Sequence, residues 1–325
     1  MTAEEIVQNR HKDWSRLESL LANGGVRRGA LDPPELLELS TLYRAACGDA
    51  ARVRAAGADD STTAYLDTLL ARAHNRLYRA PAGRPGAVRD FLLRDFPRTL
   101  RAHRTYFYFA SAAFYVPFFF GLLAAALIPT FGPAVMGPAE VEMFREMYKS
   151  APDTARTLGE GSMSVSYYVQ HNTSISFEVF ANGIFAGLGS AFMLVFQGLQ
   201  IGTVFGFLIA DDKARNILTF TCSHSAWELT AIVISGAAGL RMGWALVSTG
   251  GLTRLASLRR AGPDVARLIG GAAVMLSVAA CIEGLWSPSP VPAVGKWIFA
   301  GFQVVIVSAY LVFAGRDAAP VRGPA

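Results

Sequence analysis

The chain has 325 residues, of which charged residues make up only 17%, and its mean hydropathy is +0.32; soluble domains carry about 25% charged residues. A formal net charge of +5 with interspersed acids gives little support to a nucleic-acid partner, and Cys47, Cys222 and Cys281 are too few and scattered for a zinc motif or a disulfide framework. Residues 1–105 hold 17 of the 30 Lys/Arg and 13 of the 25 Asp/Glu, so a polar third precedes an apolar two-thirds. This is the pattern of an all-α, polytopic membrane protein with a small N-terminal helical domain.

In chain order, MTAEEIVQNRHKDW has no apolar core and reads as a cytoplasmic start without a cleavable signal. Trp14, Leu17, Leu20 and Leu21 mark the apolar face of a first helix, closed by Asn23-Gly24-Gly25. Asp32 before Pro33 and Pro34 predicts the next start, with a stripe at Leu36, Leu39, Leu42 and Tyr43. Asp60-Ser61 then precedes Tyr65, Leu66, Leu69, Leu70, Ala73, Leu77 and Tyr78. Residues 1–80 are thus a helical domain, and PAGRPG at 81–86 opens a linker that runs to 105. Within it Val88, Phe91, Leu92, Phe96 and Leu100 face one way among five arginines, with Pro97 breaking or restarting the helix. Two readings stand: a basic amphipathic helix in the headgroup region, or a helix whose stripe faces a protein core.

The transmembrane domain covers 106–316, followed by a cytoplasmic tail at 317–325. Residues 106–128 are free of charge and long enough to cross a bilayer. The 129–174 loop, with three basic and five acidic residues, belongs outside, whereas 250–267, with four arginines and one aspartate, belongs inside. Spans are expected at 226–248, 267–286 and 296–314. The apolar run 175–209 is long for one helix and short for two; a compact pair is preferred to a re-entrant segment, giving about five or six segments with both termini in the cytoplasm.

Glycines four apart, at Gly183/Gly187, Gly198/Gly202/Gly206 and Gly239/Gly243, mark close helix packing, within the chain or across a homodimer seam. Polar residues in apolar segments are costly and are candidate functional groups. They are Asn172, Glu178, Asn182, His224, Glu228 and Glu283, with His224/Glu228 and Glu178/Asn182 each four apart. His224 and Glu228 fit a structural pair that satisfies itself or meets Arg241, a proton or cation pathway, or part of a metal site lacking further visible ligands. No H-E-x-x-H, Gly-x-Ser-x-Gly or Walker-type loop occurs, so no enzyme and no cofactor is expected.

The segments YYVQHNTSISFEVFANGIFAGLGSAFMLVFQGLQIGTVFGF, HSAWELTAIVISGAAGLRMGWALV and AACIEGLWSP resemble the stage II sporulation protein M family over 165–316. The longer N-terminal pattern resembles its non-sporulation branch. The family's paired asparagines correspond to His171-Asn172 here, its Asn-Gly to Gln197-Gly198, and its H-x-x-x-E-L to His224, Glu228 and Leu229. The resemblance implies a multi-pass, envelope-associated protein of the bacterial inner membrane, a companion of MoxR-type ATPases, von Willebrand A-type proteins or RDD-type proteins, and names no activity; the reading preferred for it is a non-enzymatic scaffold. The alternative is a transporter or channel using the polar cluster.

Overall fold

The computed structural model describes residues 2–23, 32–78, 86–149 and 158–316. The chain divides into two compact units, Met1–Ala87 and Val88–Ala325.

The N-terminal unit contains α1 (Ala3–Asn23), α2 (Pro33–Ala55) and α3 (Asp60–Tyr78). Asp32 caps α2, its main-chain N–H donating to Glu35 at 3.0 Å, with prolines in the first turn. Trp14, Leu17 and Leu20 meet Leu39, Ala46, Ala50 and Val53 of α2 and Leu66, Leu69 and Ala73 of α3 in one core. The stripe on α2 differs from the expected one: Leu36 is exposed, and small alanines continue the buried face after Leu39. Inside this core lies Asp49, fully buried, where Oδ2 accepts from Arg10 Nε at 2.8 Å and Trp14 Nε1 at 2.9 Å, and Oδ1 from Arg52. Burial alone would push this carboxyl up; the three donors reverse that and hold it below the ordinary aspartate range. The expected closure at Gly24-Gly25, the PAGRP segment at 81–85, the Tyr78 side chain and the tail at 317–325 lie outside the described residues.

At the boundary of the second unit stands α4 (Ala87–Asp90), followed by a π-helical turn (Phe91–Asp95) and α5 (Phe96–Ala102), restarted at Pro97. Phe96 and Leu100 are buried and Phe91 partly so against the membrane helices, so the core-facing alternative describes this stripe. The long helices are α6 (Arg104–Leu127), α9 (Leu158–Ala181), α10 (Leu188–Ala210), α11 (Ala214–Val247), α12 (Arg254–Cys281) and α13 (Ala293–Phe313). Short helices α7 (Phe131–Met136) and α8 (Pro138–Met147) follow α6. Among the described residues five helices are long and apolar enough to cross a membrane: α6, α10, α11, α12 with its following turn, and α13. Exposed Phe109, Phe119, Phe120, Phe192, Ile298 and Phe302 give them a lipid-type surface.

Helix direction adds a sixth long helix to the bundle. Gly198, Gly202 and Gly206 of α10 lie on Phe114, Phe118 and Leu122 of α6, in the same order along both helices. The two helices therefore run parallel, and the chain must return between them. That return is α9, 24 residues long but without the apolar stretch that marks the other five.

This corrects the expected boundaries. The break in the 175–209 run falls at 182–187, where Ala186 and Gly187 both take positive φ. The two helices it separates are full-length rather than shortened, because α9 begins at Leu158, inside the supposed 129–174 loop. Likewise α11 begins at Ala214 and α12 at Arg254, leaving only 248–253 as a connection. The closeness of α5 to the end of α13 completes the closed arrangement: Arg101 donates to the main-chain oxygens of Leu311 at 2.7 Å and Ala314 at 2.6 Å, and His103 lies 3.1 Å from Asp264.

Candidate functional site

His224 and Glu228 sit one turn apart on the same face of α11, their side chains 4% and 19% exposed. His224 Nε2 lies 3.5 Å from Glu228 Oε2 and 3.9 Å from Glu283 Oε1. Both separations exceed the 2.7–3.2 Å of an N–H···O hydrogen bond. On the opposite edge of the ring, Nδ1 is 3.1 Å from the Ser287 hydroxyl. Glu283 and Ser287 are brought there by a π-helical turn, Ile282–Trp286, that ends α12; the Ser287 N–H donates to the Ile282 oxygen at 2.8 Å. Single π turns inside helical segments re-aim side chains and recur at functional positions.

Two more segments close the cluster. From α9, Asn172 Nδ2 donates to Glu283 Oε2 at 3.3 Å. From the first turn of α13, Lys296, fully buried, donates from Nζ to the Ser287 main-chain oxygen at 2.6 Å. One turn further along α11, Trp227 Nε1 donates to Gln303 Oε1 of α13 at 2.9 Å. Buried polar side chains from α9, α11, the end of α12 and α13 are thus bonded across helix boundaries, in a setting where unpaired groups cost several kcal/mol.

Of the residues singled out in the sequence, Asn172, His224, Glu228 and Glu283 come together. Glu178 and Asn182 do not join them. Glu178 is exposed, and Asn182 Nδ2 donates to the Glu178 main-chain oxygen at 2.8 Å rather than to its carboxylate. Arg241 lies 13 residues beyond Glu228, about 20 Å along the helix, too far to pair with it. The seven glycines serve contacts within the chain. A Cβ at Gly183 would fall 2.6 Å from the Gly239 carbonyl carbon, one at Gly243 would meet Gly187 and Ala186, and those at Gly198, Gly202 and Gly206 would strike the α6 main chain.

Ser287, Lys296 and Gln303 were not singled out in the sequence. Lys296 opens an apolar run and looks like an interfacial lysine, and Ser287 sits in the SPSP turn, so neither pattern signals a buried partner. One ligand atom from each of His224, Glu228 and Glu283 lies within 4.8 Å of the other two. The set could pair internally or share a cation.

The fold and this cluster define a polytopic helical membrane protein with a polar centre between its spans. The family described as Stage II sporulation protein M matches residues 110–288, more than half of the chain, from within α6 to the turn after α12. The chain belongs to that family. Its matched part contains Asn172, His224, Glu228, Glu283 and Ser287 and ends before Lys296. Residues 4–79 match a domain of unknown function, DUF8413. No curated protein and no solved structure matches the chain.

Proposed function

We propose that this protein is a non-enzymatic membrane scaffold of the bacterial cell envelope, lying in the inner membrane with both ends in the cytoplasm. The observation that carries this reading is that buried polar groups on α9, α11, α13 and the end of α12 are bonded to one another across the bundle. Such bonds fix the mutual placement of helices. The glycines support the same reading. A transporter places unwound, glycine-broken helix at its polar site, whereas here Gly183 and Gly187 at the α9–α10 break are packed on Gly239 and Gly243, some ten or more residues along α11 from Glu228. Arginines at 94, 98, 101, 104, 254, 259, 260 and 267 gather at the α5 end of the bundle, which favours that end as cytoplasmic.

In this reading the N-terminal unit recruits partners, and MoxR-type ATPases, von Willebrand A-type proteins and RDD-type proteins are the classes that family resemblance offers. Deleting residues 1–80 is expected to leave a folded, membrane-inserted bundle, because the unit has its own core. The same deletion should remove co-purifying partners and reproduce the envelope defect of a null strain. A deletion strain with wild-type envelope and unchanged co-purification would refute the recruiting role.

A further inference from the structure

We infer that His224, Glu228 and Glu283 form a binding site for one divalent transition-metal cation of the zinc class. The argument starts from spacing. Nε2 of His224 stands 3.5 Å and 3.9 Å from one oxygen of each carboxylate, and one ligand atom from each of the three residues lies within 4.8 Å of the others. Those separations are too wide for direct hydrogen bonds. Ligands at 2.0–2.2 Å around a tetrahedral zinc ion stand about 3.3–3.6 Å apart. The two separations from Nε2, 3.5 Å and 3.9 Å, lie at and just above that spacing.

The surrounding contacts are those a metal site needs. Metal-bound histidines donate their second ring N–H to a neighbour, which fixes the tautomer and aims the other nitrogen at the metal. Here Ser287 Oγ, 3.1 Å from Nδ1, is that neighbour, and Nε2 faces the carboxylates. With the proton on Nδ1, the Nε2 lone pair points towards two carboxylate oxygens, an arrangement that a cation between them turns from repulsive to attractive. Ligating carboxylates are also held by hydrogen bonds to their other oxygen. Asn172 holds Oε2 of Glu283 at 3.3 Å and leaves Oε1 on the histidine side. Lys296 in turn fixes the Ser287 main chain. Two carboxylates balance the charge of a divalent ion, with the ammonium of buried Lys296 held on the Ser287 main-chain oxygen. His224 and Glu228, one turn apart on α11, form the chelating pair; the π turn supplies the third ligand.

This concerns the cluster that the scaffold reading invokes, but its test reads bound metal and is indifferent to whether the N-terminal unit recruits anything. Full-length protein in detergent, stripped with a chelator, is titrated with Zn²⁺ alone and with Co²⁺ alone. The expected result is one equivalent bound per chain, with a visible Co²⁺ absorption band of a low-coordinate nitrogen–oxygen site. Glu283→Gln and His224→Gln should each weaken binding at least 100-fold while eluting as monodisperse protein. Ser287→Ala should weaken it about 10-fold to 100-fold, and Glu178→Gln, outside the cluster, should leave it unchanged. If the ligand variants do not fold, X-ray absorption on the zinc-loaded wild type must show one nitrogen and oxygens near 2.0–2.1 Å. Absence of stoichiometric binding by the wild type overturns the inference. So does binding that survives Glu283→Gln and His224→Gln, or an absorption spectrum without a histidine ligand.

Discussion

Gly202→Val is expected to abolish the folded membrane unit. The α6–α10 contact is the most intimate in the bundle, and Gly202 lies at its centre. A Cβ there would sit on the Phe118 carbonyl oxygen, 2.7 Å from its carbon and 2.9 Å from the Phe118 Cα. These are main-chain atoms of a helix, so no side chain can swing aside; the two helices must separate. Over-packing a well-filled core costs about 1–3 kcal/mol or more, and separation would also loosen the neighbouring contacts at Gly198 and Gly206. Gly202→Ala should already lower the thermal midpoint in detergent by many degrees, and Gly202→Val should leave no monodisperse protein. Gly301 on α13 is the control: nothing lies within 4 Å of a Cβ there, so Gly301→Ala should be neutral or slightly stabilising. Equal tolerance at positions 202 and 301 would contradict the close parallel contact.

In the N-terminal unit, Asp49→Ala is expected to remove about 2–3 kcal/mol, the worth of hydrogen bonds to a buried charged acceptor. The change strands Trp14 Nε1 in the core and removes the 2.8 Å bond of Arg10 Nε, leaving that guanidinium only its pair with Asp13. For a domain of this size the loss corresponds to a midpoint lower by roughly 10–20 °C. The pH dependence has a definite sign. The folded state holds the Asp49 carboxyl below its ordinary value, so its contribution is complete above about pH 4 and fades as pH falls through the folded value. Urea unfolding of residues 1–80 should therefore show a wild-type advantage over Asp49→Ala that is constant at neutral pH and shrinks below about pH 4. A gap that widens on acidification would contradict the assignment.

Much of this was legible in the sequence where a residue's chemistry acts locally. Asp32-Pro33-Pro34 predicted a helix start because cap and proline rules need only neighbours. The spacing of His224 and Glu228 predicted a shared face for the same reason. Asp49 escaped notice because its partner Trp14 comes from another helix and the surrounding AACGDAAR pattern reads as a solvated face. The span boundaries failed where a helix faces protein rather than lipid. The 164–176 stretch of α9, rich in Ser, Tyr, Gln and Asn, lacks the composition of a span, yet its Asn172 and Ser176 are buried. The polar start of α11 hides in the same way, burying Thr219, Ser223 and His224. Glu178 misled in the opposite sense: its four-residue spacing from Asn182 is real, but the asparagine side chain bonds the main chain and the carboxylate turns outward. Spacing fixes which residues share a face; only the neighbouring helix decides what that face meets.

The crossing of the membrane by α9 is the claim on which the arrangement turns, and cysteine accessibility tests it directly. In a chain with Cys47, Cys222 and Cys281 replaced, single cysteines at Ser248 and Pro290 are exposed to a membrane-impermeant maleimide in intact cells, alongside a tag at the N-terminus. Six crossings place Ser248→Cys on the same side as the tag, protected in intact cells, and Pro290→Cys on the other, labelled at once. Labelling of Ser248→Cys from the face opposite the tag, with Pro290→Cys on the tag side, would mean that α9 does not cross, and would contradict the parallel pairing of α6 and α10.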